Sequence, residues 1–212
     1  MYQIILIIHF FEILALTLAT IHFKKYRHST ERFFLYFLWL TIFVEALGAF
    51  VNGVLIQNNI WVYILFGFVS FTFFFYWYWS ILKKPLFKKV IIYLSLLYVI
   101  IALKEMFTES WEFNHVSSFV AGAIVVIIAS VLYFYELLNS DKVLNIKYNL
   151  RFWIATGLLL FNVGMVPFIV FSKEFSVHDI LRNIILVSLN IILYSCYSLG
   201  FIWTKQERNQ YS

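Results

Sequence analysis

A histidine and a glutamate interrupt the first long apolar run of this 212-residue chain. The segment HFFEILALTLAT begins at His9 and places Glu12 three residues later. Three residues turn an α-helix by about 300°, so both side chains would lie on almost the same helix face. A carboxyl group beside an imidazole can share a proton or bind a cation. This pair is therefore a candidate proton or ligand site.

The second apolar run carries another glutamate near its midpoint. Glu45 shares a helical face with Gly48 and Asn52. Consecutive helices joined by a short loop are usually neighbours, so we expect Glu12 and Glu45 to meet at one depth. A carboxylate at the centre of a bilayer costs about 2.5–3.5 kcal/mol. We therefore predict that both glutamates face the interior of a helix bundle and titrate as a unit with His9.

Polar residues in the last two apolar runs are candidate partners for these acids. Asn162 lies in the middle of the sixth run, and the polar residues Asn183, Asn190, Tyr194 and Tyr197 lie on one stripe of the seventh. Hydrogen bonds between transmembrane helices, worth about 0.6 kcal/mol each, are the alternative explanation for these polar residues. The predicted ligand- or proton-binding residues are His9, Glu12, Glu45, Asn52, Asn162, Asn190 and Tyr194.

The segments that must position these residues are all strongly apolar. The chain is 63% hydrophobic, 22% aromatic and only 13% charged, which excludes a soluble domain. Its apolar runs have about the 20 residues that cross a bilayer as a helix. We predict one all-α domain over residues 1–212, a polytopic bundle of seven transmembrane helices. The predicted spans are 4–23, 33–56, 61–82, 90–106, 116–138, 152–171 and 183–203.

Basic residues alternate between the predicted loops and predict an orientation. They concentrate in the loops after spans one, three and five and after span seven: Lys24, Lys25, Arg27, Arg32, Lys83, Lys84, Lys88, Lys89, Lys142, Lys147, Arg151, Lys205 and Arg208. The opposite side has Lys104, Lys173 and Arg182 among five acids, Glu105, Glu109, Glu112, Glu174 and Asp179. The positive-inside rule then places the N-terminus outside and the C-terminus in the cytoplasm. This topology accounts for the net charge of +5, so we expect no nucleic-acid partner.

Two apolar runs also resemble each other. The segments that start at Arg32 and Arg151 align. The alignment reflects either a parallel repeat of spans one to three and five to seven, with span four as the linker, or the chance similarity of two apolar segments with few identities. The aromatic stretch FTFFFYWYW, residues 71–79, has two readings. It packs the bundle and its interfacial belt, or it offers a stacking surface for a flat ligand.

Several chemistries of seven-helix proteins lack their residues here. A retinal protein needs a lysine within the last span, whereas Lys205 follows its end. His9 with two glutamates is too thin a ligand set for a zinc site. No phosphate-binding glycine loop, metalloprotease helix or nucleophile elbow is present in the sequence. We expect no enzyme, no cofactor and no metal.

We expect other polar residues to lie in solvent or at the membrane interface, without a functional role. Glu136 is expected to be a solvated charge near the basic loops, and Lys104 with Glu105 is expected at the membrane interface. The remaining histidines, His22, His28, His115 and His178, fall at or beyond span ends, where we expect surface positions. The lone Cys196 excludes an internal disulfide.

The segments FYELLNSDKVLNIKYNLRFWIATGLLLFNVGMVPF, residues 134–168, and HFFEILAL resemble a family of small uncharacterised bacterial seven-span membrane proteins. In topology the chain also resembles the seven-span sensor regions of bacterial signalling receptors. These resemblances imply a bacterial inner-membrane protein with a sensing role, and they supply no catalytic residues.

Three functions remain open from the sequence. The favoured one is a receptor-like or accessory module that binds a proton or small ligand and signals to a cytoplasmic protein at the basic loops. The second is a proton- or cation-coupled small-solute transporter. The third is a multimeric pore that works with a soluble partner. The sequence is also compatible with a homo-oligomer.

Overall fold

The chain folds as a bundle of seven α-helices in the computed structural model, which describes residues 2–54, 59–108, 116–140, 146–171 and 180–205. These ranges contain no β-strand. The helices are α1 (Tyr2–Ile21), α2 (Arg32–Gly53), α3 (Ile60–Ile81), α4 (Pro85–Thr108), α5 (Val116–Leu138), α6 (Leu150–Val170) and α7 (Ile180–Trp203). A short 3₁₀ helix, Phe23–Lys25, follows α1.

The all-α prediction is confirmed, and each predicted span coincides with one helix. Six helices, α2 to α7, are long and apolar enough to cross a membrane, and α1 adds a shorter apolar segment, Leu6–Ile21. The fourth helix begins at Pro85, five residues before the predicted start. Proline suits the first helical position because its fixed φ matches the helix and its missing N–H would have had no helical acceptor there.

Some predicted positions lie outside the described residues. These are residues 55 and 56 of the second span, the histidines His115 and His178, and the charged loop residues Glu109, Glu112, Lys142, Lys173, Glu174, Asp179 and Arg208.

Large apolar side chains cover the outside of the bundle. Phe10, Phe43, Ile100 and Phe107 are all more than half exposed. A water-soluble bundle places polar residues on its outer helix faces. The outward apolar surface and the six long apolar helices are those of a multi-pass membrane protein.

Six of the helices form a closed ring. Around it, α1 packs on α2, α2 on α3, α3 on α5, α5 on α6, α6 on α7, and α7 on α1. Helix α4 lies outside the ring against α3 and α5. Helices α6 and α7 pack closely at Gly157, which faces the backbone of α7. A methyl group on Gly157 would lie 3.2 Å from the carbonyl oxygen of Leu193.

One end of the bundle carries the basic loop residues, and we call it the basic end: Lys24, Lys25, Lys83, Lys84, Lys147 and Lys205. The Nζ of Lys25 donates to the carbonyl of Ile202, which joins the ends of α1 and α7. The Tyr26 hydroxyl donates to the carbonyl of Ala19 at 2.6 Å. Burial raises the pKa of the Tyr26 phenol and lowers the pKa of the Lys25 amine.

Aromatic side chains fill the bundle near the basic end. Phe34 is fully buried, and its ring centroid lies 5.3 Å from Trp77 and 5.5 Å from Tyr197. Tyr78 is also fully buried and hydrogen-bonds Ser130 at 2.6 Å. Trp77 and Tyr78 of the aromatic stretch therefore pack the core, as the structural reading of that stretch predicted.

Two glutamates join α4 and α5 at both ends. Glu105 near the end of α4 accepts hydrogen bonds from the backbone N–H groups of Ser117 and Ser118 at the start of α5. Glu136 near the end of α5 accepts from the N–H groups of Lys83 and Lys84 just before α4. Each helix thus supplies the carboxylate that satisfies the free donors at the start of the other.

These caps change the expected roles of both acids. Glu105 is buried and Glu136 is half-buried, and both oxygens of each carboxylate accept backbone donors. Neither is a solvated charge. The sequence predicted their location near span ends and missed the hydrogen bonds that fix them there.

Candidate functional site

Glu12 lies in the interior of the bundle. It is only 5% exposed. Its Oε1 accepts a hydrogen bond from the Tyr194 hydroxyl at 2.8 Å, and its Oε2 lies 3.1 Å from Nδ1 of His9. The acid is therefore held between α7 and the preceding turn of its own helix, as the three-residue spacing of His9 and Glu12 predicted.

Glu45 faces the same interior from α2. It is half-buried, and its Oε2 accepts a hydrogen bond from the Tyr63 hydroxyl at 3.1 Å. The tyrosine ring reaches Glu45 across Gly48, where an added methyl would lie 2.7 Å from the Tyr63 oxygen. Asn59 donates to the carbonyl of Gly48 at 3.0 Å and fixes α3 against α2. A larger residue at this position would displace the end of the tyrosine ring, because the ring occupies the place of a side chain.

Both glutamates line one cavity of about 420 Å³, and residues from all seven helices surround it. The two carboxyl groups are near enough to interact electrostatically. The cavity reaches the surface of the bundle beside Tyr63, since that residue lines it and is 39% exposed. The prediction that Glu12 and Glu45 are brought together in the interior agrees with this placement.

The walls of the cavity are rich in aromatic side chains. Phenylalanine rings from four helices line it: Phe37, Phe66, Phe68, Phe71, Phe74, Phe119 and Phe161. None of the described residues around it is a lysine or an arginine. The walls therefore offer apolar area and π-faces, and the charge of the cavity is acidic.

Asn162 and Asn190 also line the cavity. The side-chain NH₂ of Asn162 donates to the carbonyl of Leu158, and that of Asn190 donates to the carbonyl of Leu186, both at 2.8 Å. Each amide thus bonds to its own helix four residues back. Among the described residues, neither amide group donates to a neighbouring helix. Hydrogen bonds between helices were the structural alternative for Asn162 and Asn190.

Two hydroxyl groups in the wall of the cavity are buried without a hydrogen-bond partner among the described residues. They are the Tyr197 hydroxyl, in a residue 1% exposed, and the Ser70 hydroxyl, in a residue 9% exposed. Buried polar groups are nearly always paired, so unpaired ones in a cavity wall indicate a place for a polar ligand group. The sequence placed Tyr197 on the polar stripe of α7 and gave no signal for Ser70.

The structure does not bring every predicted residue to the cavity. Asn52 is exposed and does not line it. Asn52 lies seven residues after Glu45, which is about 10 Å along α2. It therefore lies on the same helix face as Glu45 but beyond the depth of the cavity. His9 contacts Glu12 without lining the cavity.

Comparison with known proteins gives no relative. No family model, curated protein or solved structure matches the chain. The resemblance to small bacterial seven-span proteins and sensor regions stays a prediction.

The sequence missed a second buried acid at the basic end. Glu31, just before α2, is fully buried, and its Oε1 lies 2.5 Å from Nε of Arg151 in the first turn of α6. Arg151 is itself buried, although the charge pattern placed it among the solvated loop residues. One signal was available, because Glu31 is the single acid in a basic segment that runs from Lys24 to Arg32.

Among the described residues, the cavity acids belong to no cluster of candidate metal ligands. Within the part of the chain that the structure describes, no group of three or more His, Cys, Asp or Glu side chains could hold a metal ion.

Proposed function

We propose that this chain is a receptor-like module of the bacterial inner membrane, with seven spans and its N-terminus outside. A proton or small ligand in the acidic cavity changes helix packing, and the basic end presents the change to a cytoplasmic protein. The observation that carries the proposal is the unequal filling of the bundle. The cavity occupies the end away from the basic loops, and aromatic side chains fill the basic end.

The aromatic packing of the basic end favours a receptor over a pore that runs through this bundle. The residues of the cavity wall nearest the basic end include Phe37, Phe74 and Tyr197. Beyond them lie Phe34 and Trp77, which are almost fully buried. A ligand in the cavity therefore meets packed aromatic rings before it reaches the basic end, whereas a pore needs a passage there.

A continuous set of contacts links the cavity to the basic end. Tyr194 holds Glu12, and its ring lies 6.0 Å from that of Tyr197. Tyr197 packs on Phe34, which is three residues after Glu31 and its partner Arg151. Contiguity alone does not establish coupling between sites, so this path is part of the proposal. A shift of Tyr194 would be felt by Tyr197 and then by the start of α2.

The proposed orientation rests on charge. The described lysines of the basic end, apart from half-buried Lys25, are exposed, whereas the cavity end begins and finishes helices at apolar or neutral residues. By the positive-inside rule the basic end is cytoplasmic. Its exposed lysines then provide a surface for a cytoplasmic protein, and Arg151 is excluded from that surface by its burial.

A transporter is the second candidate, because one feature of the fold favours the repeat that it needs. Helices α1 to α3 and α5 to α7 form the ring, and α4 lies outside it. The α3–α5 contact and the α7–α1 contact would be equivalent in a parallel repeat with α4 as the linker.

Labels at the basic end test the receptor directly. We would place two spin labels at exposed positions, Lys83→Cys and Lys147→Cys, in a Cys196→Ala background in lipid nanodiscs, with the proton as the probe. We expect the distance between labels to differ between pH 5 and pH 8 and to stop changing in the Glu12→Gln/Glu45→Gln variant. Glu105→Gln, which removes an acid outside the cavity wall, is the control and should retain the change. A distance that still changes in the double variant contradicts the proposal.

Flux separates the two candidates. Liposomes that contain the protein and an internal pH-sensitive dye report proton entry. Proton entry that is lost in Glu45→Gln supports the transporter. A change in label distance without proton entry supports the receptor.

A further inference from the structure

We infer that the cavity binds a small organic ammonium ion with an apolar, aromatic body and a polar group at its far end. The inference rests on the proposed function only in taking the cavity as the ligand site. It goes further by naming the chemical class of the ligand from the charge, walls and unpaired hydroxyls of the cavity.

The two acids in the cavity favour a cationic ligand. Glu12 and Glu45 face it together, and no described lysine or arginine lines it. His9 is the one basic side chain in contact with either acid among the described residues, and it contacts Glu12. Even an imidazolium at His9 leaves the half-buried Glu45 without a cationic partner, and a carboxylate held partly out of water is stabilised by a cation. An ammonium group between the two acids provides that partner.

The size and the apolar walls of the cavity favour a ligand with an apolar body. A bare metal ion would leave most of a 420 Å³ cavity unfilled, and this volume is in the range of sites for drug-sized molecules. Seven phenylalanine rings line it. Aromatic faces attract ammonium ions and pack against flat apolar groups. The cavity therefore fits an aromatic amine better than an inorganic cation.

The unpaired hydroxyls call for a polar group at the other end of the ligand. Tyr197 follows Tyr194 by three residues on α7, and Ser70 follows Tyr63 by seven residues on α3. Because Tyr194 and Tyr63 hold the two acids, both hydroxyls lie deeper toward the basic end than the carboxyl groups. Three residues span about 4.5 Å and seven span about 10 Å, so the far polar group should lie about 5–10 Å from the ammonium.

A matched series of small molecules tests the class. The probes are 4-phenylbutylamine, its neutral counterpart 4-phenylbutanol, and 4-(4-hydroxyphenyl)butylamine, measured by equilibrium dialysis against the protein in nanodiscs. Empty nanodiscs correct for partition into lipid. We expect the amine to bind about tenfold more tightly than the alcohol, as one partly desolvated charge pair provides. Equal binding of amine and alcohol to the unchanged protein overturns the inference without any variant.

Variants locate the binding. Glu45→Gln keeps the shape of the side chain and should remove the preference for the amine, whereas Glu136→Gln removes an acid at the basic end and should keep it. Tyr197→Phe should remove the additional affinity of the hydroxyphenyl compound and leave the preference for 4-phenylbutylamine over the alcohol. An amine preference that survives in Glu45→Gln overturns the inference.

The two proposals fail in different ways. Amine binding that leaves the labels at Lys83 and Lys147 unmoved contradicts the receptor and keeps the ligand class. Movement of those labels with the alcohol as strongly as with the amine contradicts the ligand class and keeps the receptor.

Discussion

Two buried acidic sites in this bundle are neutralised in different ways. At the basic end, Glu31 has Arg151 as an ionic partner within a tightly packed interior. In the cavity, Glu12 has a phenol and an imidazole, and Glu45 has a phenol. A fixed cation compensates the first acid, whereas neutral or titratable groups surround the other two.

The difference separates the structural role of Glu31 from the binding role proposed for Glu12 and Glu45. The Glu31–Arg151 ion pair holds the start of α2 against the start of α6 and already gives the acid a cationic partner. Acids in a cavity without a fixed cation remain able to take up a proton or a cationic ligand. The cost of holding them there, several kcal/mol in a membrane interior, is more than structural hydrogen bonds alone return.

The largest expected effect comes from breaking the ion pair. Arg151→Met leaves the carboxylate of Glu31 buried and uncompensated, which typically costs about 3–5 kcal/mol. We expect that loss in the free energy of unfolding, measured by denaturation in mixed detergent micelles. Adding Glu31→Gln to Arg151→Met removes the uncompensated charge and should recover a large part of the stability. A double variant that is no more stable than Arg151→Met would contradict the comparison.

Removal of Glu105, an acid that backbone donors hold, should give a smaller effect. Glu105→Ala leaves the N–H groups of Ser117 and Ser118 without their carboxylate at the start of α5. Loss of a helix cap costs about 0.5–2 kcal/mol. The same unfolding assay should therefore place this variant between wild type and Arg151→Met. Stability equal to wild type would show that the cap is not needed.

Removal of a phenol from the cavity should cost less again. Tyr194→Phe deletes the hydroxyl that donates to Glu12, and side-chain hydrogen bonds in membrane proteins average about 0.6 kcal/mol. We expect a loss of that size in unfolding, together with a shift of the carboxyl stretching band of Glu12 in infrared difference spectra. An unchanged band would mean that Tyr194 does not bond Glu12 in the membrane.

The smallest expected effect on stability is also the most local. In Gly48→Ala the new methyl must displace the end of the Tyr63 ring, which is flexible and half exposed. We expect less than about 0.5 kcal/mol of change in unfolding, yet loss of the Tyr63–Glu45 hydrogen bond in the infrared band of Glu45. Gly53→Ala is the matched control, because a methyl there meets nothing within 4 Å. An altered Glu45 band in the control would show that the effect is not specific to Tyr63.

Much of the fold could be predicted because it follows from local pattern. Apolar run length gave the helices, and the spacing of His9 and Glu12 gave their contact. The interior position of Glu12 and Glu45 followed from the energetic cost of an acid among lipids. Each of these inferences uses residues within one helix or the simple rule that neighbours along the chain are neighbours in space.

The interactions that were missed join residues far apart in the chain. Glu31 and Arg151 are 120 positions apart, and Tyr63 reaches Glu45 only because Gly48 leaves room for its ring. Neither relationship has a periodic signal. Asn52 shows the opposite case, because it lies on the predicted helix face but not at the predicted depth. Helical periodicity gives the direction of a side chain around the axis and does not show where a cavity ends.

The paired caps of α4 and α5 make the lengths of these two helices depend on each other. Glu105 and Glu136 each reach the start of the opposite helix, so both bridges are satisfied only at one relative register. Deleting a single residue between Tyr98 and Ala102 would rotate Glu105 by about 100° and withdraw it by about 1.5 Å. Evolution can thus lengthen or shorten this hairpin only by changing both arms together, which fixes the thickness of membrane that it spans.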